Sequence, residues 1–256
     1  MKNPFQKINL LILFAVLLFS GCKKDSQEIS DFEYIGFPNE NELSWDYPTK
    51  PGSDKWKTFQ SHNEMLEACQ IPSTILTDLS TEELFLICLK YPLLMDISAF
   101  NFVTDGYASY ETNFNGIREF YQRSNASSVI YSYYQQVKLE KNNATLYSNI
   151  SFVFRVSVIE YMISVSPVIS KYSTTQRKEV ATELLSKLNI KKSQKGDFPE
   201  TYLNSTYRAL IRIIRCDEAG TLSTDDTKLA NYFAGGFSAP ESIIAQVDEI
   251  IRQYLK

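Results

Sequence analysis

The feature that most constrains this chain is a helix-start pattern followed by an amphipathic segment, which occurs three times. Residues 80–83, Ser-Thr-Glu-Glu, form a capping box, in which the Ser80 hydroxyl accepts the Glu83 amide and the Glu83 carboxylate reaches back. Residues 173–176 repeat the arrangement, and residues 238–241, Ser-Ala-Pro-Glu, open the last segment. After each start, apolar residues recur at helical spacing. The pattern predicts an all-α fold.

Shorter stretches with the same spacing lie between these starts. They predict helices at 61–70, 104–113, 117–123, 126–138 and 202–214, with loops at 190–198 and 216–224. We therefore expect a single domain of eight to ten helices. Its packing is expected to be a solenoid-like or an irregular orthogonal stack, although no fixed period supports a solenoid.

Residues 145–166 are open to two interpretations. Apolar side chains alternate with others from Phe152 to Val158, which is typical of a strand. However, residues 146–166 contain neither glycine nor proline, and helical segments lie on both sides. We predict a central buried helix. A membrane span is not expected, because Arg155 and Glu160 interrupt the apolar run.

The N-terminus has the layout of a secretory signal. Two lysines precede an apolar run at 8–19, and two small residues then lead to Cys22. The run is too short to span a bilayer comfortably. Residues 1–21 are therefore predicted to be a signal peptide. An ordinary cleaved signal, an uncleaved anchor and a lipoprotein signal are the three forms that it could take.

The end of this segment resembles the lipobox of bacterial lipoproteins. Residues 19–22 read Phe-Ser-Gly-Cys, and the charged residues 23–28 are similar to the tethers of Bacteroidetes-type lipoproteins. The resemblance implies that the Cys22 thiol is acylated and becomes the first residue of the mature protein. Several acyl chains would hold the protein on a membrane. The resemblance thus implies a lipid-anchored protein of the bacterial cell envelope, at the outer membrane, on either the periplasmic or the surface face.

Composition constrains the chain beyond the signal. Residues 22–55 contain Pro38, Pro48 and Pro51 among many acidic residues and are predicted to be a tether, with a helical domain at 56–256. Removing Lys2 and Lys7 with the signal leaves 24 basic and 30 acidic residues, a net charge of −6. This balance argues against a nucleic-acid partner, because phosphate binding requires clustered positive charge.

A second stretch, Cys69 to Arg123, carries the motifs CQIP, LSTEEL, CLKYPLLMDISAFN and NFNGIREFYQR. It resembles a segment of secreted and lipidated Bacteroidetes proteins to which no activity is attached. The resemblance implies a helical envelope protein in which residues 113–116 form a corner between two helices.

Cysteine and histidine content restricts metal and nucleophile chemistry. After Cys22 only Cys69, Cys88 and Cys216 remain; we expect buried thiols, while one disulfide stays open as an alternative. The chain has one histidine, His62, in a polar run, where an exposed helix-start position is expected. No C-x-x-C spacing and no G-x-S-x-G elbow accompany these residues. Neither a metal nor a cofactor is expected.

Carboxylate pairs are the remaining candidates for catalysis. Two acids in one cleft could hydrolyse a glycoside. Acids in the first turn of a helix are also expected without any function, because they complement the helix dipole. The pairs are Glu82/Glu83, Asp217/Glu218 and Asp225/Asp226.

Two further sets suit a binding surface. Arg208, Arg212 and Arg215 recur at helical spacing and could hold an anionic ligand, or could form a solvated or paired face. Tyr131, Tyr133 and Tyr134 could stack on a sugar or line a peptide groove, or could belong to the core.

These observations predict a membrane-tethered binding or structural module that recognises an envelope protein, peptide or glycan. The alternatives are a carboxylate-based hydrolase acting on polysaccharide and an accessory subunit of an envelope complex. No catalytic residue is predicted.

Overall fold

The structure, a computed structural model, describes residues 43–139, 150–194, 198, 200–217, 232 and 241–256. The chain separates into two compact units, Met1–Ile35 and Gly36–Lys256, and every described residue belongs to the second. The predicted signal peptide, Cys22 and most of the predicted tether lie outside the described residues.

Within those ranges the chain is all helical and contains no β-strand, which confirms the predicted fold class. Two 3-10 helices span Trp56–Thr58 and Leu94–Ala99. The α-helices are α1 (His62–Ala68), α2 (Ser73–Asp78), α3 (Thr81–Leu89), α4 (Val103–Asn113), α5 (Asn115–Gln122), α6 (Ala126–Gln136), α7 (Ile150–Ile163), α8 (Ser166–Ile169), α9 (Thr174–Ser193), α10 (Glu200–Asp217) and α11 (Glu241–Tyr254).

The described ranges thus hold eleven α-helices rather than the expected eight to ten. The excess comes from the short helices α2 and α8, which sequence periodicity misses because neither is long enough to show a full apolar face. A proline lies near the start of each of them: Pro72 is the N-cap residue of α2, and Pro167 lies in the first turn of α8.

Both capping boxes form as predicted. The Glu83 amide donates to the Ser80 hydroxyl at 3.2 Å, and the Ser80 amide donates back to the Glu83 carboxylate at 3.2 Å. Ser173 and Gln176 make the same reciprocal pair at the start of α9. Residues 233–240 lie outside the described ranges, although α11 begins at Glu241.

The helix α7 lies at the centre of the core, with α10 packed against both α7 and α9. The described side chains from Phe152 to Glu160 are all buried. Of the helix predicted at 145–166, this confirms residues 150–163; residues 145–149 lie outside the described ranges, and the helix ends at Ile163. A helix surrounded by others needs apolar residues on every face, which explains the strand-like alternation.

The folded unit begins before Trp56, which corrects the predicted start of the domain. Tyr47 has only 4% exposure, and its hydroxyl donates to the Ile87 carbonyl at 3.0 Å. Trp45 packs edge-on against it, with ring centroids 4.8 Å apart. The sequence does not reveal these two contacts, because the nearby prolines are typical of a tether.

The corner at residues 113–116 joins α4 to α5 through the fully buried ring of Phe114. Asn115 fixes the corner to the segment before α2. Its side-chain amide donates to the Ile71 carbonyl at 2.7 Å, and its side-chain oxygen accepts from the Ile71 amide at 3.0 Å.

Candidate functional site

The arginine row on α10 runs from the interior to the surface. Arg208 is buried, with 7% exposure, and its Nε donates to the Tyr232 carbonyl at 3.3 Å. Arg212 is half-buried and Arg215 is exposed. The row is therefore neither a uniformly solvated face nor a uniformly buried one.

Two adjoining clefts follow this row. The narrow cleft encloses about 60 Å³ and the wide cleft about 610 Å³. Both are lined by Tyr161, Ser164 and Arg212, so Arg212 stands between them. Arg208 lies in the narrow cleft and Arg215 in the wide one. We call the two together the arginine cleft.

Stacked aromatic rings support the central arginine. The guanidinium carbon of Arg212 lies 4.6 Å from the centroid of the Tyr161 ring, within the range of a cation–π contact. Tyr161 in turn stacks on Tyr107, with centroids 3.6 Å apart and planes 6° apart. The Tyr107 hydroxyl donates to the Ser157 carbonyl at 3.2 Å. A stack fixed in this way holds the guanidinium at the cleft without cancelling its charge.

One carboxylate, Glu111 of α4, is among the residues that line the wide cleft. Burial raises the pKa of Glu111, while hydrogen bonds with Tyr121 and Tyr161 and the charge of Arg212 oppose that rise. The Tyr121 hydroxyl lies 3.3 Å from Glu111 Oε1. Among the described residues, the wide cleft therefore combines two arginines with one acid.

Deeper in the core lies an ion pair between Glu160 of α7 and Lys191 of α9. Lys191 Nζ is 2.8 Å from Glu160 Oε1, and both side chains have 0% exposure. Lys191 also donates to Thr206 Oγ1 at 3.0 Å and to the Tyr202 carbonyl at 3.1 Å. Each ammonium proton thus has an acceptor. Burial lowers the pKa of Lys191, and the charge of Glu160 opposes this effect.

Glu160 receives further hydrogen bonds from α6 and α10. The Tyr134 hydroxyl donates to Oε1 at 2.8 Å and the Thr206 hydroxyl donates to Oε1 at 2.9 Å. The Ser205 hydroxyl donates to Oε2. The Glu160 carboxylate therefore connects α6, α9 and α10 to α7. Its partner Ser205 also lines the narrow part of the arginine cleft.

Sequence reasoning misses this pair. It expects a loop at 190–198, whereas α9 continues to Ser193. The apolar period of α9 ends at Leu188, and the next buried position of the same face carries Lys191, a charge that breaks the hydrophobic pattern.

The tyrosine cluster is not an exposed binding surface. Tyr133 and Tyr134 have 6% and 0% exposure, and Tyr131 is half-buried with its ring edge-on to Tyr172. Both side chains point inward from α6: the Tyr133 ring packs against Phe85, and the Tyr134 hydroxyl donates to Glu160. Tyr133 and Tyr134 therefore belong to the core, one of the two positions that the sequence left open, whereas Tyr131 stays partly exposed.

The carboxylate pairs do not form a catalytic dyad among the described residues. Glu83 serves the α3 capping box, and Glu82 is an exposed residue of the same first turn. Asp217 accepts from Arg177 Nε and from the Tyr254 hydroxyl, each at 2.5 Å. Glu218 and the pair at 225–226 lie outside the described ranges. His62 is the exposed first residue of α1, as expected.

The three described cysteines are free thiols, so no disulfide joins them. Cys69 and Cys88 are buried, and burial raises the pKa of Cys69 to about 12. Cys216 is exposed in the last turn of α10 and lines the wide cleft, which corrects the expectation of three buried thiols. In the part of the chain that the structure describes, no group of three or more His, Cys, Asp or Glu side chains is placed to hold a metal ion.

Comparison with known proteins returns no family model, no curated protein and no solved structure that matches this chain. Among the described residues, no helix has both the length and the apolar character needed to cross a bilayer.

The structural role of Tyr134 can be tested by removing its hydroxyl. Tyr134→Phe removes the hydroxyl that donates a hydrogen bond to the buried Glu160 carboxylate. The variant should lower the free energy of unfolding by about 1.5–3 kcal/mol. Tyr131→Phe is the matched control on the same helix; its side chain is only half-buried, and the loss of its hydroxyl should change stability by less than about 0.5 kcal/mol. Urea denaturation measures both. Equal effects would show that the Glu160 contact contributes nothing specific.

Proposed function

We propose that this chain is a lipid-tethered helical binding module of the bacterial cell envelope, whose arginine cleft binds the acidic groups of an envelope glycan. The observation that carries the proposal is the position of Arg212 and Arg215 along the wide cleft. A volume of about 610 Å³ is within the usual range of small-molecule sites.

The chemistry of the cleft supports an anionic ligand with hydroxyl groups. Arginine binds carboxylate and phosphate oxygens through two parallel N–H donors. Ser166 and Ser170 are exposed at the same cleft and can exchange hydrogen bonds with sugar hydroxyls. The overall acidic charge of the chain makes this basic cleft distinct from the rest of its surface.

The hydrolase alternative gains no support from the clefts. A glycosidase needs two carboxyl groups within about 10 Å of each other across the bond that is cleaved. Among the described residues, Glu111 is the one carboxylate that lines the wide cleft. No described carboxylate lines the narrow cleft. The arrangement suits binding better than cleavage.

Matched acidic and neutral sugars test the proposed ligand. The full chain in detergent should bind trigalacturonate, which carries carboxylates, more tightly than trigalactose, in isothermal titration calorimetry. Arg212→Gln and Arg215→Gln should each weaken trigalacturonate binding about fivefold or more, the equivalent of about 1 kcal/mol. Glu111→Gln should strengthen it, because a repelling carboxylate is removed.

The control for these variants is Arg252→Gln, which removes an exposed arginine of α11 that pairs with Glu249 outside the cleft. It should leave the affinity unchanged. An acidic peptide that binds better than both sugars would redirect the proposal to a protein ligand. Equal binding of the two sugars, or equal effects of Arg212→Gln and Arg252→Gln, would contradict it.

The tether is tested separately. Cys22→Ser should abolish acylation and move the protein from the membrane to the soluble fraction, because acyl chains supply the free energy of anchoring. Intact-mass measurement of the wild-type protein from a bacterial host should show the acyl groups. An unmodified mass, or a Cys22→Ser variant that still fractionates with membranes, would remove the lipid tether from the proposal.

A further inference from the structure

Three large apolar side chains are exposed within one short stretch. Met95, Phe100 and Phe102 have 47%, 37% and 49% exposure, and they are the exposed large hydrophobic residues of the described ranges. They belong to the 3-10 helix Leu94–Ala99 and to the turn between it and α4. Single exposed apolar residues are ordinary, whereas several in one short stretch favour an interaction surface. We call these three residues the apolar patch.

A small cleft adjoins the apolar patch. It encloses about 60 Å³ and is lined by Phe100 of the patch together with His62, Tyr91, Asp96 and Tyr110. None of its lining residues belongs to the arginine cleft. We call it the Asp96 cleft.

The Asp96 cleft contains a hydrogen-bonding group that the described residues leave unsatisfied. Tyr91 has 5% exposure, and its buried hydroxyl has no hydrogen-bond partner among those residues. A buried polar group without a hydrogen-bond partner destabilises the folded state. Burial raises the pKa of Tyr91, and the charge of Asp96 adds to this rise, so the hydroxyl stays protonated near that carboxylate.

Asp96 is the acidic group of this cleft. His62 Nε2 approaches its Oδ2 at 3.5 Å. Burial raises the pKa of Asp96, while His62 opposes this effect. A hydrogen-bond donor with a positive charge would offset the partial burial of the carboxylate and would also give the Tyr91 hydroxyl a partner.

We propose that the Asp96 cleft receives the ammonium group of a lysine from a partner protein, whose neighbouring apolar side chains cover the apolar patch. An ammonium group is compact and carries three donors, which suits a narrow cleft better than a planar guanidinium. Asp96 and the Tyr91 hydroxyl accept hydrogen bonds from it, and the rings of Phe100 and Tyr110 add cation–π attraction. A free amine would leave the apolar patch uncovered, so the patch favours a protein as the source of the lysine.

Two peptides that differ at one side chain test the proposal. The probes are acetyl-Leu-Leu-Lys-Phe-Leu-amide and the same peptide with norleucine in place of lysine, titrated into the full chain in detergent. The lysine peptide should bind at least about tenfold more tightly. Asp96→Asn and Tyr91→Phe should each remove most of that difference. Asp105→Asn, an exposed acid of the first turn of α4 that does not line the cleft, is the control and should preserve it.

Two alternative partners of the apolar patch, a second copy of this chain and a lipid surface, would give different experimental results. Self-association in sedimentation velocity that Phe100→Ser abolishes would indicate a second copy of this chain. Binding to phosphatidylethanolamine–phosphatidylglycerol vesicles that Phe100→Ser reduces would indicate a lipid surface. Either result without a lysine preference, equal binding of the two peptides, or no binding of either peptide at millimolar concentration would overturn the proposal.

Discussion

A charge pair enclosed by helices sets the geometry on which the rest of this structure depends. Moving two ions out of water costs several kcal/mol each, and attraction offsets that cost only when the remaining donors and acceptors are also paired. Glu160 and Lys191 meet this condition with hydroxyl and carbonyl partners from α6 and α10. Ser205 and Thr206 bond to Glu160 and lie on the same helix as Arg208, so the pair and the arginine row share α10.

The sequence predicts what depends on local pattern and misses what depends on long-range pairing. The capping boxes at Ser80 and Ser173 and the buried helix at 150–163 follow from hydrogen-bond chemistry and from the absence of helix breakers. Sequence reasoning places Lys191 in a loop, because the apolar period ends at Leu188 and mostly polar residues follow. Its partner lies 31 positions away, and no periodicity reveals that distance.

The candidate sites divide in the same way. Arginine spacing predicts a row on one helix, but only the packing of α10 against its neighbours shows that Arg212 lies between two clefts. The spacing of the tyrosines is compatible with either surface or core positions. Tyr134 lies in the core because its hydroxyl donates to the buried carboxylate of Glu160. The two proposed surfaces differ in charge, one basic and one acidic, which would let one domain bind a glycan and a protein at the same time.

A double-mutant cycle on the enclosed charge pair tests this account most directly. Urea denaturation of Glu160→Gln, Lys191→Met and the double variant should show that each single change lowers the free energy of unfolding by about 3–5 kcal/mol, because it strands a buried polar partner. The double variant should lose less than the sum of the two. Single changes below about 1 kcal/mol that add without coupling, as expected for the exposed pair Glu249–Arg252, would contradict it.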